Sequence, residues 1–266
     1  MIDIHNHILP GIDDGPSDWE EALALARNAV ANGISTVVAT PHHAHERYDN
    51  RAETVLSLTE QMNSRLQQEG IPLEVLAGQE IRVHQELLNR WEQGAKGGLR
   101  SLADTRYLLL ELPSANVPDG THELIYELSL KEVTVVVAHP ERNRELASDT
   151  NKLLRLIECG ALAQVTAHSL LGLFGRGTER TAWTMCKQGF IHFVASDAHN
   201  TGRRDFRLRE AYERIGERMG GNAAAYYKRN AEQLLRNEYI RSTFVQTAAP
   251  VGAWGRMKRL FGRSSD

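Results

Sequence analysis

Seven short apolar, β-branched segments recur along the chain, and each ends at or beside a residue able to carry charge or bind a metal. They are Met1–His5, Ser35–Thr40, Leu73–Glu80, Tyr107–Leu112, Val133–His139, Leu162–His168 and Ile191–Asp197. The polar residues at their ends are His5, His42, Glu80, Glu111, His139, His168 and Asp197, spaced 28 to 38 residues apart, which is one strand-plus-helix unit each. Val135-Val136-Val137-Ala138 is apolar without alternation, the pattern of a parallel strand covered on both faces. Between the segments apolar residues recur at helical spacing, as in Ala22, Leu23, Ala26, Ala29 and Val30. There Ser17 is the expected N-cap, Glu20 its reciprocal partner and Gly33 the stop. Similar patterns cover about 53–68, 121–130, 150–158 and 178–188, and Arg- and Glu-rich closing helices fill about 205–240.

Strand alternating with helix predicts an α/β fold with a parallel sheet. A barrel and an open sheet both satisfy that alternation. In a barrel every strand end converges on one mouth, where βα-barrel enzymes build their sites. Seven strands rather than eight point to a distorted or incomplete barrel. The chain of 266 residues reads as one domain over 1–246, followed by a mobile basic tail over 247–266. A hydrophobic fraction of 41% supplies an ample core, and the net charge of −3 argues against extended nucleic-acid contact. Cys159 and Cys186 are too few for a disulfide framework, and the first residues carry no secretory leader pattern, so a cytoplasmic location is expected.

The chemistry concentrates at the strand ends. His5 and His7 are two apart on the first strand, so they share a face, and Asp197 and His199 repeat that spacing on the last. His42, Glu80, Glu111 and His139 lie between, and Asp14 sits in a Gly-Ile-Asp-Asp-Gly loop. Nine donors exceed what one four- to six-coordinate ion can use, which favours two or three ions sharing bridging carboxylates. Mixed nitrogen and oxygen ligation without thiolate suits Mn, Fe or Zn. Three such ions would bring about +6 against about −4 from the acids, a centre that attracts a phosphate dianion. Arg142 and Arg203, on loops leaving ligand-bearing strands, are the expected phosphate holders, because guanidinium forks match phosphate oxygens. Arg204, Arg207 and Arg209 read as a solvated or partner-contacting face, His43 and His45 as rim or supporting residues, and His168 as a supporting hydrogen-bonding residue or a ligand. A cysteine phosphatase needs an arginine six residues after its thiolate, where this chain has Val165 and His192.

The runs Met-Ile-Asp-Ile-His-Asn-His, Ala-Thr-Pro-His-His, Gly-Gln-Glu-Ile-Arg, Ala-His-Pro-Glu-Arg-Asn and Ala-Ser-Asp-Ala-His-Asn resemble the polymerase-and-histidinol-phosphatase (PHP) superfamily. More narrowly, they resemble its bacterial metal-dependent tyrosine-phosphatase branch of the CpsB/CapC/YwqE type, over residues 1 to about 240. The resemblance implies a distorted seven-stranded βα barrel with a trinuclear, usually manganese-dependent site. Its expected substrate is phosphotyrosine on a bacterial tyrosine kinase controlling capsular or exopolysaccharide synthesis, cleaved by direct attack of a metal-bound hydroxide. His5, His7, Asp14, His42, Glu80, Glu111, His139, Asp197 and His199 would be ligands, with Arg142 and Arg203 on the phosphate. The rivals are a histidinol-phosphate phosphatase or another phosphoesterase of that superfamily, and a non-catalytic metal-binding scaffold that docks a kinase. The tail around Trp254, Met257, Leu260 and Phe261 is basic and apolar enough to lie on an anionic membrane or to bind a partner. An oligomer is compatible with all of these readings.

Overall fold

The structure, a computed structural model, describes residues 1–240. The expectations for the tail 247–266, membrane contact included, lie outside the described residues. Among the described residues nine strands form: β1 (Ile2–Asn6), β2 (Thr36–Ala39), β3 (His42–His43), β4 (Glu74–Ala77), β5 (Glu80–Arg82), β6 (Tyr107–Glu111), β7 (Thr134–Ala138), β8 (Leu162–Thr166) and β9 (Phe193–Ala195). They pair in parallel as two sheets, β1-β2-β4 and β3-β5-β6-β7-β8-β9. The α/β expectation therefore holds, while the strand count differs because Leu73–Glu80 splits between β4 and β5 and a short extra strand, β3, forms just beyond Ser35–Thr40. Pro41 has no N–H to donate and separates β2 from β3. Gly78 separates β4 from β5, and a Cβ there would come within 2.9 Å of Val38 Cγ1.

The edges of the two sheets meet at β1 and the end of β9. Asp197 N–H donates to His5 O and His7 N–H donates to Ala198 O, each at 2.8 Å. Buried Asp3 accepts from Ser196 N–H at 2.8 Å and from its hydroxyl at 2.6 Å. Both faces of the strands are buried, which explains the unalternating apolar runs. On β6 and β7, Leu108, Leu110, Val135 and Val137 pack against the helices. Leu109 and Val136 instead join Ile4, Val38, Leu162 and Phe193 in a second core, which draws residues from both sheets. Helix Gly221–Leu235 covers this second core with Ala231 and Leu234.

The helices fall close to their expected places, at Ala52–Gln68, Thr121–Leu130, Asn151–Glu158, Arg176–Lys187, Leu208–Met219 and Gly221–Leu235. The first, Trp19–Ala31, is capped one residue later than expected. Asp18 rather than Ser17 accepts from Glu21 N–H, and Glu21 rather than Glu20 reaches back to Ser17. Such a cap contributes about 1 kcal/mol. Among the described residues no helix is long and apolar enough to cross a membrane.

Candidate metal centre

All seven expected strand ends come to one side of the sheets, and eight of the nine expected ligands are carried there by strands or the residues just after them. His5 lies on β1 and His7 just beyond it; His42 and Glu80 open β3 and β5 as register partners; Glu111 closes β6. His139 and Asp197 follow β7 and β9 with φ of 31° and 55°, left-handed conformations that turn the chain at the strand end. Asp14 comes from the loop above, which packs so tightly that a Cβ on Gly15 would lie 2.1 Å from His7 O.

The nine side chains fall into four overlapping groups, each with ligand atoms within 4.8 Å of one another. They are His7, Asp14, His42 and His199; His5, His7 and Glu80; His5, His139 and Asp197; and His42, Glu80 and Glu111. His5 Nε2 and His7 Nε2 each stand 3.4 Å from both Glu80 Oε2 and Asp197 Oδ1. That is long for a hydrogen bond, and it equals the roughly 3.4 Å between two atoms held about 2.1 Å from one tetrahedral ion. His5 Nε2, His7 Nε2, His42 Nδ1, Glu80 Oε2 and Glu111 Oε2 are buried without a hydrogen-bond partner. Five orphaned donor atoms around one centre, all nitrogen or oxygen, fit divalent cations.

The other faces of the imidazoles are held. His5 Nδ1 meets Gln164 Oε1 at 2.9 Å, His7 Nδ1 meets Asp13 Oδ2 at 2.7 Å, and His199 Nδ1 donates to Asp197 O at 2.9 Å. These contacts fix ring orientation and leave each Nε2 facing the cluster. Asp13 and Gln164 were missed from sequence. Asp13→Ala is expected to lower metal affinity about 10- to 100-fold, read by metal titration of the stripped protein, with folding checked by circular dichroism.

Burial pushes every acid here upward, but neighbouring charges decide the outcome. Glu80 is held well below the usual carboxylate range by His5 and His42, and Asp197 by Arg204, His5 and Arg142. Burial, reinforced by the charge on Glu80, lifts Glu111 to about 7 despite Arg82 at 3.3 Å. Burial lowers His139 and His199 to about 4, while Asp13 overrides burial and holds His7 well above its ordinary value. Glu80, Asp197, His139 and His199 thus stand in the protonation states that metal ligation requires, whereas His5, His7 and Glu111, all raised, would release protons as a cation binds.

Arg142, one of the two expected phosphate holders, lies against Asp197. Arg203 does not: it is exposed, whereas Arg204 NH2 donates to Asp197 Oδ2 at 2.7 Å and its NH1 lies 3.8 Å from Asp14. Arg204, read from sequence as solvated, is therefore the second guanidinium on Asp197, beside Arg142. The cause is the turn built by Asn200, whose side chain accepts from Gly202 N–H and Arg204 N–H while Arg204 O accepts from His199 N–H at 2.7 Å. His43 and His168 are buried outside the four groups; His43 faces Asp49 at 3.2 Å, and His168 faces Asp205 at 3.4 Å and stacks on Phe174. His45 stacks on His42 at 4.8 Å, and burial and His42 lower its pKa, so it is neutral near pH 7.

Parallel strands ending on a thiolate-free cluster of histidines and carboxylates define an α/β protein suited to gathering divalent cations. The family described as capsular polysaccharide synthesis, CpsB/CapC, matches residues 1–236, and the chain belongs to it. It is 44% identical over 263 residues to the tyrosine-protein phosphatase YwqE of Bacillus subtilis strain 168, covering 98% of this chain and 99% of that one. With the tyrosine-protein phosphatase CpsB of Streptococcus agalactiae serotype III it shares 27% identity, covering 90% of this chain and 100% of that one. A crystal structure from work on YwqE of B. subtilis and CpsB of Streptococcus pneumoniae, described as metal-dependent tyrosine phosphatases, superposes with a TM-score of 0.87 at 44% identity. It covers 91% of this chain and 96% of that one. A β-aspartyl dipeptidase from Fervidobacterium islandicum, at 12% identity and a TM-score of 0.54, shares the fold alone.

Proposed function

We propose that this chain is a metal-dependent protein-tyrosine phosphatase acting on a bacterial tyrosine kinase of capsular or exopolysaccharide synthesis, at the cytoplasmic side. The observation that carries the reading is the merging of nine nitrogen and oxygen donors into four overlapping groups with two guanidinium groups on Asp197. His5, His7, Asp14, His42, Glu80, Glu111, His139, Asp197 and His199 would hold two or three ions, manganese first, with iron or zinc as alternatives. Bound divalent ions would supply Lewis acidity and neutralise charge on the phosphate.

The chain's own residues do the rest. Arg142 and Arg204 would take phosphate oxygens in a fork geometry and stabilise charge that builds on them during transfer. Glu111, whose pKa burial and the charge on Glu80 bring to about 7, would give up its proton as a cation binds. A tyrosinate leaving group, with a pKa near ~10, needs less protonation than a serine alkoxide, which favours phosphotyrosine over phosphoserine. Counting β2 with β3 and β4 with β5 once each returns seven, and we read the two sheets as one distorted barrel within a single domain over 1–246.

The test is phosphate release from a phosphotyrosine peptide by metal-stripped protein with and without manganese, beside a phosphoserine peptide and histidinol phosphate. Metal-dependent turnover of phosphotyrosine is expected. Turnover of histidinol phosphate alone would move the chain to that rival activity, and metal binding without any turnover would favour the scaffold.

A further inference from the structure

Away from the metal centre, helix Arg176–Lys187 carries cations along one face. Arg176, Arg180, Trp183 and Lys187 recur at i, i+4, i+7 and i+11, so they line one stripe of the helix. Arg218 of helix Leu208–Met219 faces that stripe across a groove of about 410 Å³. Arg218 lies over the Trp183 ring at 4.6 Å and donates to Glu179, the groove's one carboxylate, at 3.1 Å. Arg176, Arg180 and Lys187 are exposed, and among the described residues none has a carboxylate partner. Four cations against one acid give this groove a local excess of +3 on a chain whose net charge is −3.

The segment leading into this helix touches a residue of the metal centre. Phe174 lies two residues before Arg176, and its ring sits 5.3 Å from the Arg142 guanidinium and 5.5 Å from His168. From Arg176 to Lys187 the helix runs about 16 Å, the reach of about five extended residues.

We infer that this groove docks an acidic segment of the phosphotyrosine-bearing substrate, about five to ten residues from the phosphotyrosine. The inference rests on the tyrosine-phosphatase reading. It places a second determinant of substrate choice on the protein, remote from the phosphate.

The test uses the full chain loaded with manganese and two phosphotyrosine peptides identical around the phosphate. One carries a distant run of Glu and the other a run of Gln. The wild type is expected to favour the Glu peptide about tenfold, through KM and with the preference shrinking as salt rises. The variant R176Q/R180Q/K187Q, altered only at exposed positions, should lose that preference while its rates on the Gln peptide and on p-nitrophenyl phosphate stay unchanged. An equal preference in both proteins, or none in the wild type, overturns the inference. So does a variant that loses binding to phosphatidylglycerol vesicles but keeps its peptide preference. Fluorescence anisotropy with an unphosphorylated Glu peptide needs no turnover: binding by the wild type and not the variant supports the groove even if phosphotyrosine is not hydrolysed.

Discussion

Arg204→Ala is expected to lower kcat/KM for a phosphotyrosine peptide by about 10²–10³, while Arg203→Ala leaves it within about threefold. The two arginines are adjacent in sequence and differ in one respect. Arg204 is drawn inward to share Asp197 Oδ2 with Arg142, and its Nε is buried without a partner, ready for an acceptor. Arg203 is exposed to solvent. Two guanidinium groups converging on one oxygen form a doubly cationic corner, and a phosphate dianion fits such a corner better than a single carboxylate oxygen does. Steady-state kinetics with both variants, and the inhibition constant for inorganic phosphate, check the assignment. Weaker phosphate inhibition for Arg203→Ala alone would mean that the Asn200 turn refolds when ligand binds.

The second large effect is expected at Glu80. Its Oε1 meets His139 at 2.8 Å, and its Oε2 lies 3.0 Å from His42 and 3.4 Å from His5 and His7. Two of the four ligand groups contain it. Glu80→Gln keeps the shape and removes one charge, so the chain should lose at least one ion. Losing several kcal/mol of charge stabilisation corresponds to a fall in kcat of about 10³. Metal content measured by mass spectrometry and kcat on the same sample read both effects. In the metal-free protein the substitution relieves the repulsion that lifts Glu111 but loses the attraction of His5 and His42, so circular dichroism on the same sample checks the fold. The rise in Tm on adding manganese should shrink relative to wild type, since ligand linkage scales with affinity. An unchanged metal content would remove Glu80 from the ligand set.

The clustered histidines and carboxylates were legible because strand ends are marked twice in sequence, by the apolar run and by the polar residue that stops it. Asp13 and Gln164 carried weaker marks. Asp13 differs from Asp14 only in which way a tight loop turns, and the close approach of Gly15 to His7 O decides that. Gln164 stands inside a buried strand, where a polar side chain needs a partner, and that signal was available. Arg204 was not legible, because nothing local separates it from Arg203 before Asn200 closes the turn. The strand breaks were signalled by Pro41 and Gly78, yet a single proline or glycine in an apolar run does not say whether the strand bends or ends. The cap shifted by one residue for a similar reason, since Ser17 and Asp18 are both good caps.

The bonds joining β1 to residues 196–198 tie together groups as much as 193 positions apart in the chain. During synthesis His5 and His7 leave the ribosome early, and their partners Asp197 and His199 emerge only after every other strand has been made. No truncated product ending before Asp197 can assemble the group of His5, His139 and Asp197. Long-range closure of this kind is slow relative to local helix formation. The groups of His5, His7 and Glu80 and of His42, Glu80 and Glu111 lie within the first 111 residues, whereas the two that need Asp197 or His199 can close only after translation has passed the last strand.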